Sequence, residues 1–226
     1  MSELAREAGV SRRYLTDAEA GRANPTALVL SQLASVLGVR PGSLVDHDPQ
    51  TQRGERIALV GLRGAGKSTV GRELARVLEA PFCELDSRVE RVAGLTLAEI
   101  FDLHGAEGFH RFEAEALEQV LAEGERVVIA ASGSIVESEA NFERLRETCT
   151  TYWLRAEGAD HYARVVEQGD RRPMANRPRA MEELEALLAA REPYYARCAE
   201  TVRTSGRDVD EVVAAIREHA ESKSSW

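Results

Sequence analysis

Apolar side chains recur at helical spacing in three short segments at the start of the chain. They are Leu4, Ala5 and Ala8 in the first segment, Tyr14, Leu15 and Ala18 in the second, and Leu30, Leu33, Ala34 and Leu37 in the third. Ser11 and Thr26 stand where the N-caps of the second and third helices are expected, and Gly38 stands where the third helix should stop. The pattern predicts a small all-helical domain over residues 1–45.

Residues 46–54 lack both periodicity and large apolar side chains, and we interpret them as a linker. After the linker, short apolar runs alternate with amphipathic helical patterns. The strand candidates are Ile57–Val60, Pro81–Leu85, Val127–Ala131, Thr151–Leu154 and Thr201–Thr204. A run that is apolar throughout is expected for a strand buried on both faces, and alternating strands and helices imply a parallel sheet between two helical layers. The pattern therefore predicts an α/β domain with a three-layer parallel sheet over residues 55–226.

The net charge of the chain is −9, and it is unevenly distributed. Residues 1–45 carry five positive and four negative side chains, which leaves −10 for the remainder. The negative total argues against non-specific nucleic-acid binding by the whole molecule, and the uneven distribution indicates a small neutral-to-basic head on an acidic body. The start has no signal-peptide pattern, no run approaches a membrane span, and the three widely spaced cysteines fit neither a disulfide framework nor a zinc site. We therefore expect a cytoplasmic protein with no membrane association.

Between the first strand and the following helix, Gly61, Gly66, Lys67 and Ser68 have the spacing G-x-x-x-x-G-K-S. Glycines let successive backbone N–H groups turn toward phosphate oxygens, the lysine supplies a positive charge, and the serine hydroxyl can ligate magnesium. A plain glycine turn is the alternative, but it requires neither Lys67 nor Ser68. The pattern predicts a loop that binds the phosphates of a nucleotide-type ligand, such as ATP or ADP with Mg²⁺. The contacting residues are expected to be Gly61, Gly64, Ala65, Gly66, Lys67, Ser68 and Thr69.

From the loop onward, over about residues 55–219, the chain resembles shikimate kinases. The resemblance is carried by the loop with its flank up to Gly71, Asp86 with Glu90, Ile100-Phe101 before Gly105, Phe109 with Glu113, Arg172-Pro173, and Arg191 ahead of Tyr195. It implies a P-loop kinase-like fold with five parallel strands in the order 2-3-1-4-5 and a lid, which we place near residues 167–180. It also implies that Asp86 grips or deprotonates an acceptor hydroxyl, and that Arg172 and Arg191 handle phosphate and substrate carboxylate.

The departures from that family fall on the acceptor side of the predicted site. The first carboxylate of its Asp-x-Asp pair is Glu84, its Gly-Glu is Gly105-Ala106, its Phe-Arg is Phe109-His110, and its triple-glycine turn reads Ala131-Ser132-Gly133. A neutral imidazole cannot clamp a carboxylate as a bidentate arginine does. We therefore expect a rebuilt set of ligand-binding residues, namely Glu84, Asp86, His110, Ser132, Gly133 and Arg191. The alternatives are a helix cap for Asp86, surface positions for His110, Arg172 and Arg191, and a small turn residue for Ser132.

Residues 4–38 resemble the helix-turn-helix of phage-repressor-like regulators. The resemblance is carried by Leu4–Ser11, Tyr14-Leu15, Glu19 and Gly21, and by Leu30, Leu33, Ala34 and Leu37–Val39. It implies that the second helix enters the DNA major groove, where its contacts would be Ser11, Arg12, Arg13, Tyr14 and Thr16. Arginine suits bidentate contact with guanine, so we expect Arg12 and Arg13 to read bases. That family usually has a further helix before this pair, and here the motif begins without it. An ordinary helical hairpin is the alternative.

Together the two halves resemble bacterial regulators of benzoate breakdown, a likeness that the segment Gln168–Met174 also carries. The resemblance implies a shikimate-kinase-like domain that senses benzoyl-coenzyme A and a head that then releases promoter DNA. We expect a homodimer, because paired recognition helices read two half-sites. On this basis we favour a regulator without catalytic turnover, whose effector is an aryl-CoA thioester or a nucleotide. The alternative is an ATP-dependent shikimate kinase or related small-molecule kinase, with Asp86, Lys67 and Arg172 as catalytic residues.

Overall fold

The computed structural model describes residues 2–19, 23–39, 41, 55–157 and 180–223. The chain divides into two compact units, Met1–Asp48 and Pro49–Trp226. The predicted linker, Arg172 and the predicted lid up to residue 179 lie outside the described residues. Within the described part of the chain, no helix combines the length and the apolarity needed to cross a lipid bilayer.

The first unit contains three helices. They are α1 Ser2–Glu7, α2 Arg12–Glu19 and α3 Ala27–Leu37. The chain turns between α1 and α2 at Gly9, whose φ of 68° lies in the left-handed region that favours glycine. The predicted caps are confirmed, since Tyr14 N donates to Ser11 Oγ at 3.0 Å and Thr26 accepts from Val29 N. A small core joins the three helices and consists of Ala5, Ala8, Leu15 and Leu33.

The second unit is a five-stranded, fully parallel sheet covered by helices. Its strands are β1 Glu55–Val60, β2 Phe82–Glu84, β3 Arg126–Ala130, β4 Thr150–Arg155 and β5 Glu200–Arg203. Its helices are α4 Lys67–Val77, α5 Leu85–Ala93, α6 Leu97–Glu123, α7 Glu139–Thr148, α8 Ala180–Tyr195 and α9 Val209–Lys223, with a short 3-10 helix at Ile135–Glu137. The strand order β2-β3-β1-β4-β5 confirms the predicted order.

The central strand is apolar on both faces, as its sequence predicted. Ala58 and Val60 pack into a core with α5, α6 and α7, whereas Ile57 and Leu59 pack into a second core with α4 and α9. Because successive strand residues point to opposite faces, a strand between two helical layers needs apolar residues at every position. The full burial of these positions fixes β1 in the middle of the sheet.

The carboxyl ends of β1, β2 and β3 meet at one edge of the sheet. Leu59 pairs with Ala130, and Glu84 pairs with the same residue from the other side. The segments that follow these three strands are therefore neighbours in space. In parallel α/β sheets, ligands bind outside the carboxyl ends of the strands, where such segments converge.

Helix α6 reaches this edge along an irregular course. Thr96 begins it with a reciprocal capping arrangement, in which Thr96 accepts from Glu99 N and Glu99 accepts from Thr96 N. The helix is interrupted at Gly105, whose φ of 65° and ψ of −169° are not helical. The second half of the helix, after Gly105, carries the polar side chains that face the edge of the sheet.

Candidate functional site

The loop between β1 and α4 has the backbone shape that phosphate binding requires. Gly66 is the N-cap of α4 with a φ of 94°, so the helix begins directly behind the loop. A side chain at Gly61 would place its Cβ 2.8 Å from the backbone oxygen of Leu154, closer than real Cβ atoms approach. Glycine is thus needed at both ends of the loop. Gly66 needs it for its backbone conformation, and Gly61 needs it for close packing against β4. The N–H groups at the start of α4 point out of the helix toward the loop, where an anion is stabilised.

Lys67 lies inside this loop, not on its surface. Its side chain is buried, and its Nζ donates to Gly61 O at 2.8 Å and to Leu62 O at 3.2 Å. Burial lowers the pKa of Lys67 to about 8, although the nearby carboxylates of Asp86 and Glu84 act in the opposite direction. The loop therefore holds a desolvated ammonium group whose only hydrogen-bond acceptors among the described residues are backbone carbonyls.

This pKa predicts a pH dependence of anion binding. We expect the affinity for ADP to be level below about pH 8 and to fall above it by up to about tenfold per pH unit, because the free protein must first take up a proton on Lys67. Calorimetric titrations between pH 7 and pH 9.5 measure the effect. In Lys67→Arg the guanidinium stays charged over this range, so its affinity should not change with pH. A level curve for the unmodified protein would contradict the prediction.

Ser68 and Glu84 form the part of the site that could hold magnesium. Ser68 Oγ donates to Glu84 Oε1 at 2.8 Å, and Arg72 Nη2 lies 3.6 Å from Glu84 Oε2. Within the described ranges, no group of three His, Cys, Asp or Glu side chains could hold a metal ion by itself. One hydroxyl and one carboxylate suit Mg²⁺, which keeps several waters and takes further oxygens from bound phosphates. These residues fit a metal ion that arrives with a nucleotide.

Asp86 is the second residue of α5, directly after β2. It does not cap that helix, because Glu84 occupies the N-cap position. Burial raises the pKa of Asp86 to about 6, partly offset by the charge of Lys67 and reinforced by Glu113. A carboxyl group with this pKa, beside a phosphate loop, can accept a proton from a hydroxyl near neutral pH.

Four polar side chains, three of them buried and His110 partly exposed, form a cluster near Asp86. Glu113 is completely buried, and its oxygens accept hydrogen bonds from Ser132 Oγ and from Asn141 Nδ2, the latter at 2.8 Å. His110 Nδ1 lies 3.4 Å from the second oxygen of Glu113. The hydrogen bond with Glu113 raises the pKa of His110. Neither His110 nor Ser132 is therefore an isolated surface or turn residue, because Glu113 connects the two.

Arg191 contacts the turn after β3, which contains Ser132 and Gly133. Its Nη1 donates to Gly133 O at 2.8 Å, and its Nη2 contacts Glu137. Tyr195, one helical turn later, also donates to Gly133 O at 3.2 Å and stacks on Trp153. The side chain of Arg191 is only 13% exposed, so the surface alternative is wrong for this residue.

The described site thus joins most residues that the sequence predicted. Lys67 is close enough to Asp86, Glu84 and Arg191 for each to shift its pKa, and Asp86 is similarly affected by Glu113. Thr69 is exposed on α4 and makes no contact with this group that the structure records. Sequence reasoning missed Arg63, which influences both Lys67 and Asp86, and it missed Asn141 and Glu137.

The predicted DNA-contacting residues of the first unit separate into two groups. Ser11 caps α2, and Tyr14 is partly buried, with its hydroxyl 3.5 Å from Asn24 O. Arg12, Arg13 and Thr16 are exposed at the start of α2, and the side chain of Arg13 is 94% exposed. The two arginines are therefore available to another molecule, whereas Ser11 and Tyr14 also stabilise the helix pair.

The fold and the loop at its edge define a P-loop kinase-like α/β protein. The model of the shikimate kinase family matches residues 63–221, and a helix-turn-helix family model matches residues 1–44. The chain belongs to the shikimate kinase family and carries a helix-turn-helix at its N-terminal end.

Individual relatives agree with this assignment. The chain is 44% identical to a shikimate kinase of Symbiobacterium thermophilum over 74% of this chain and 97% of that protein. It is 36% identical to a shikimate kinase of Rhodopseudomonas palustris over 72% of this chain and 81% of that protein. A solved shikimate kinase from Acinetobacter baumannii in complex with shikimate superposes with a TM-score of 0.67 at 27% identity, over 77% of this chain and 97% of that one. These similarities give no support to our expectation of a protein without enzyme activity.

Proposed function

We propose that the chain is a DNA-binding regulator whose shikimate-kinase-type domain binds a phosphate-bearing ligand that changes its affinity for promoter DNA. The observation that carries this proposal is the presence of both units in one chain. A helix pair with exposed Arg12 and Arg13 precedes a domain whose loop surrounds a buried lysine. An enzyme that only transferred phosphate would gain nothing from a DNA-binding head.

The ligand is proposed to be an aryl-CoA thioester of the benzoyl-CoA type or a nucleotide. Both carry adenosine phosphates, which the loop amides and the Lys67 ammonium would hold in the same way. ATP or ADP would bring Mg²⁺ to Ser68 and Glu84. An uncharged aryl group fits the replacement of arginine by His110 on the acceptor side, because it offers no carboxylate to clamp.

A gel-shift titration on the DNA immediately upstream of the coding sequence tests the proposal. We expect a shifted complex that benzoyl-CoA, ATP or ADP weakens or strengthens by at least about fivefold, the lower end of ordinary coupling between sites. A complex that none of the three ligands affects would contradict the sensing role. Absence of any specific complex would contradict the regulator as a whole.

Replacing Arg13 tests the recognition helix. Arg13→Ala is expected to weaken specific DNA binding by about 1–3 kcal/mol and to reduce the preference for the promoter over unrelated DNA. Arg6→Ala removes the same charge from α1 and serves as the matched control. An arginine that contacts only phosphate would, when removed, weaken binding to promoter and unrelated DNA equally, so the preference for the promoter would not change. Fluorescence anisotropy with promoter and scrambled duplexes gives both affinities. An unchanged promoter preference in Arg13→Ala would exclude base reading by Arg13.

We further propose a homodimer as the DNA-binding form. A single recognition helix contacts one half-site, and two heads on one duplex would read two half-sites about one helical turn apart. Analytical ultracentrifugation of the protein with a palindromic duplex is expected to give two chains per duplex. A stoichiometry of one chain per specific site would contradict the dimer.

A second candidate function is phosphoryl transfer from ATP to a hydroxyl. The observation that favours it is Asp86, a buried carboxyl with a pKa of about 6 beside Lys67, in a chain 44% identical to a shikimate kinase. Asp86 would take the hydroxyl proton, the hydroxyl oxygen would bond to the γ-phosphorus, and ADP would leave with the bridging oxygen. Lys67 would stabilise the phosphate charge. Arg172, which is not among the described residues, is proposed to do the same.

A coupled assay with ATP, Mg²⁺ and shikimate separates the two candidates. Turnover in the usual kinase range of about 1–100 per second, lost by about 100-fold or more in Asp86→Asn, would establish the second function. Turnover below about 0.01 per second, with measurable nucleotide binding, supports a sensing domain. The two results are distinguishable because binding and turnover are measured on the same sample.

A further inference from the structure

Strand β5 forms one edge of the sheet, and within the described part of the chain it pairs with β4 alone. Thr204 N donates to Arg155 O at the end of β4. Backbone groups alternate in direction along a strand, so the N–H and C=O groups of Thr201 and Arg203 face away from β4. Thr201 N accordingly donates to Glu200 Oε1, on the side chain of its own neighbour, at 3.3 Å. An edge with outward-facing backbone groups is a template for pairing with another strand.

A groove of about 610 Å³ runs along this edge, between β5 and α9. Its two walls are held together by His219 of α9. The Nδ1 atom of His219 lies 2.9 Å from the hydroxyl of Tyr152 on β4, and its Nε2 atom lies 3.3 Å from Glu200 Oε2 on β5. The groove is therefore a preformed surface of the second unit.

The charges that line the groove are separated by sign. The contact between His219 and Glu200 shows that α9 runs back antiparallel to β5. Arg203 and Arg207 thus lie at the end where β5 finishes and α9 begins, and Glu200 and Glu218 lie at the opposite end. One end of the groove is positive and the other carries two carboxylates.

A second copy of this chain fits both the backbone groups and the charges. Two β5 strands that run antiparallel about a two-fold axis at Val202 place Thr201 opposite Arg203 of the other copy, so outward-facing groups meet outward-facing groups. The same axis exchanges the two ends of the groove, and the positive end of each copy then meets the negative end of the other. An unrelated extended peptide would match the backbone groups but not the charges.

We propose that two copies of the chain associate through this groove, with antiparallel pairing of their β5 strands and with Arg207 of each copy facing Glu218 of the other. The two five-stranded sheets would then form one continuous sheet. The inference deepens the proposed homodimer, on which it rests, by naming its contact surface.

Reversing the charges at the two ends of the groove tests this contact. Arg207→Glu and Glu218→Arg each place like charges opposite one another in a symmetric pair, and each is expected to weaken self-association by about tenfold or more. An equimolar mixture of the two variants should recover association, because in the mixed pair each glutamate meets an arginine. Arg217→Glu is the control, since Arg217 lies on α9 outside the groove. Sedimentation equilibrium of the full chain without DNA measures the dissociation constants.

Thr201→Pro tests the strand pairing separately from the charges. It removes the N–H group that faces outward and leaves the bonds to β4 in place, as proline on an edge strand does. We expect it to weaken self-association by a similar factor, whereas Thr201→Val, which keeps the N–H group, should have no effect. The mixing experiment does not depend on this variant, because recovery in the mixture itself shows that both charge variants are folded.

Three outcomes would overturn the proposal. They are an unmodified protein that stays monomeric without DNA, charge variants that self-associate as tightly as the unmodified protein, and a mixture that does not recover association. The proposed DNA-binding dimer is tested separately, by the number of chains on a palindromic duplex. Two chains per duplex in every variant would preserve that dimer and place its contact elsewhere, whereas one chain per duplex would contradict it whatever happens without DNA.

Discussion

Replacing Lys67 with alanine is expected to weaken ADP binding by about 30-fold or more. The ammonium group of Lys67 is buried inside the loop, where it donates hydrogen bonds to Gly61 O and Leu62 O. A phosphate that entered the loop would pair with this group. Removing one member of a desolvated, hydrogen-bonded charge pair costs about 2–5 kcal/mol. The backbone N–H groups and the start of α4 would remain, so binding should be weakened but retained at millimolar ADP.

Arg76→Ala is the matched control for this variant. Arg76 lies on the same helix, pairs with Glu73 and has a 71% exposed side chain, so its loss removes one positive charge without touching the loop. Isothermal titration calorimetry with ADP and with coenzyme A gives the affinities of both variants. If Lys67→Ala bound ADP within about threefold of the unmodified protein, the loop could not be the phosphate site.

Replacing Glu113 with alanine should lower the free energy of unfolding of the second unit by about 3 kcal/mol. The substitution leaves the Ser132 hydroxyl, the Asn141 amide and the His110 ring without their common acceptor in a fully buried position. Each unsatisfied buried donor costs about 1–3 kcal/mol, with partial relief from rearrangement. For a unit of this size we expect the melting temperature to fall by about 6–12 °C.

Glu115→Ala is the control for the Glu113 variant. It makes the same substitution two residues away on α6, at an exposed position, and should change the melting temperature by no more than about 2 °C. Scanning calorimetry of both variants in the same buffer measures the difference. Equal small effects would show that the cluster around Glu113 does not stabilise the fold.

The sequence was sufficient to predict the features that depend on neighbouring residues. The apolar run of β1, the glycine loop and the start of α4 are adjacent in the chain, so their pattern specified strand, turn and helix together. The helix caps Ser11 and Thr26 were predictable for the same reason, since a cap bonds to a backbone group three residues away. The strand order came from the family resemblance, because apolar runs do not specify which strands are neighbours.

The buried polar cluster could not be predicted in this way. Ser132 and Asn141 reach Glu113 from positions 19 and 28 residues further along the chain, and Glu137 reaches Arg191 across 54 residues. Such partners become neighbours only when the sheet brings its loops together. The one local indication was the three-residue spacing of His110 and Glu113 on a helix, which places both on one face. That spacing would have identified Glu113 as part of the site.

We propose that ligand binding in the shikimate-kinase-type domain and DNA binding by the head are coupled. Coupling between two sites is reciprocal, so it must appear when ligand affinity is measured with and without DNA. Calorimetric titration of the full chain with benzoyl-CoA, and separately with ADP, should be done alone and with saturating promoter duplex. We expect DNA to change the dissociation constant of at least one ligand by fivefold or more, and a scrambled duplex to leave it unchanged. If each ligand has the same dissociation constant with and without promoter DNA, the proposed coupling is contradicted.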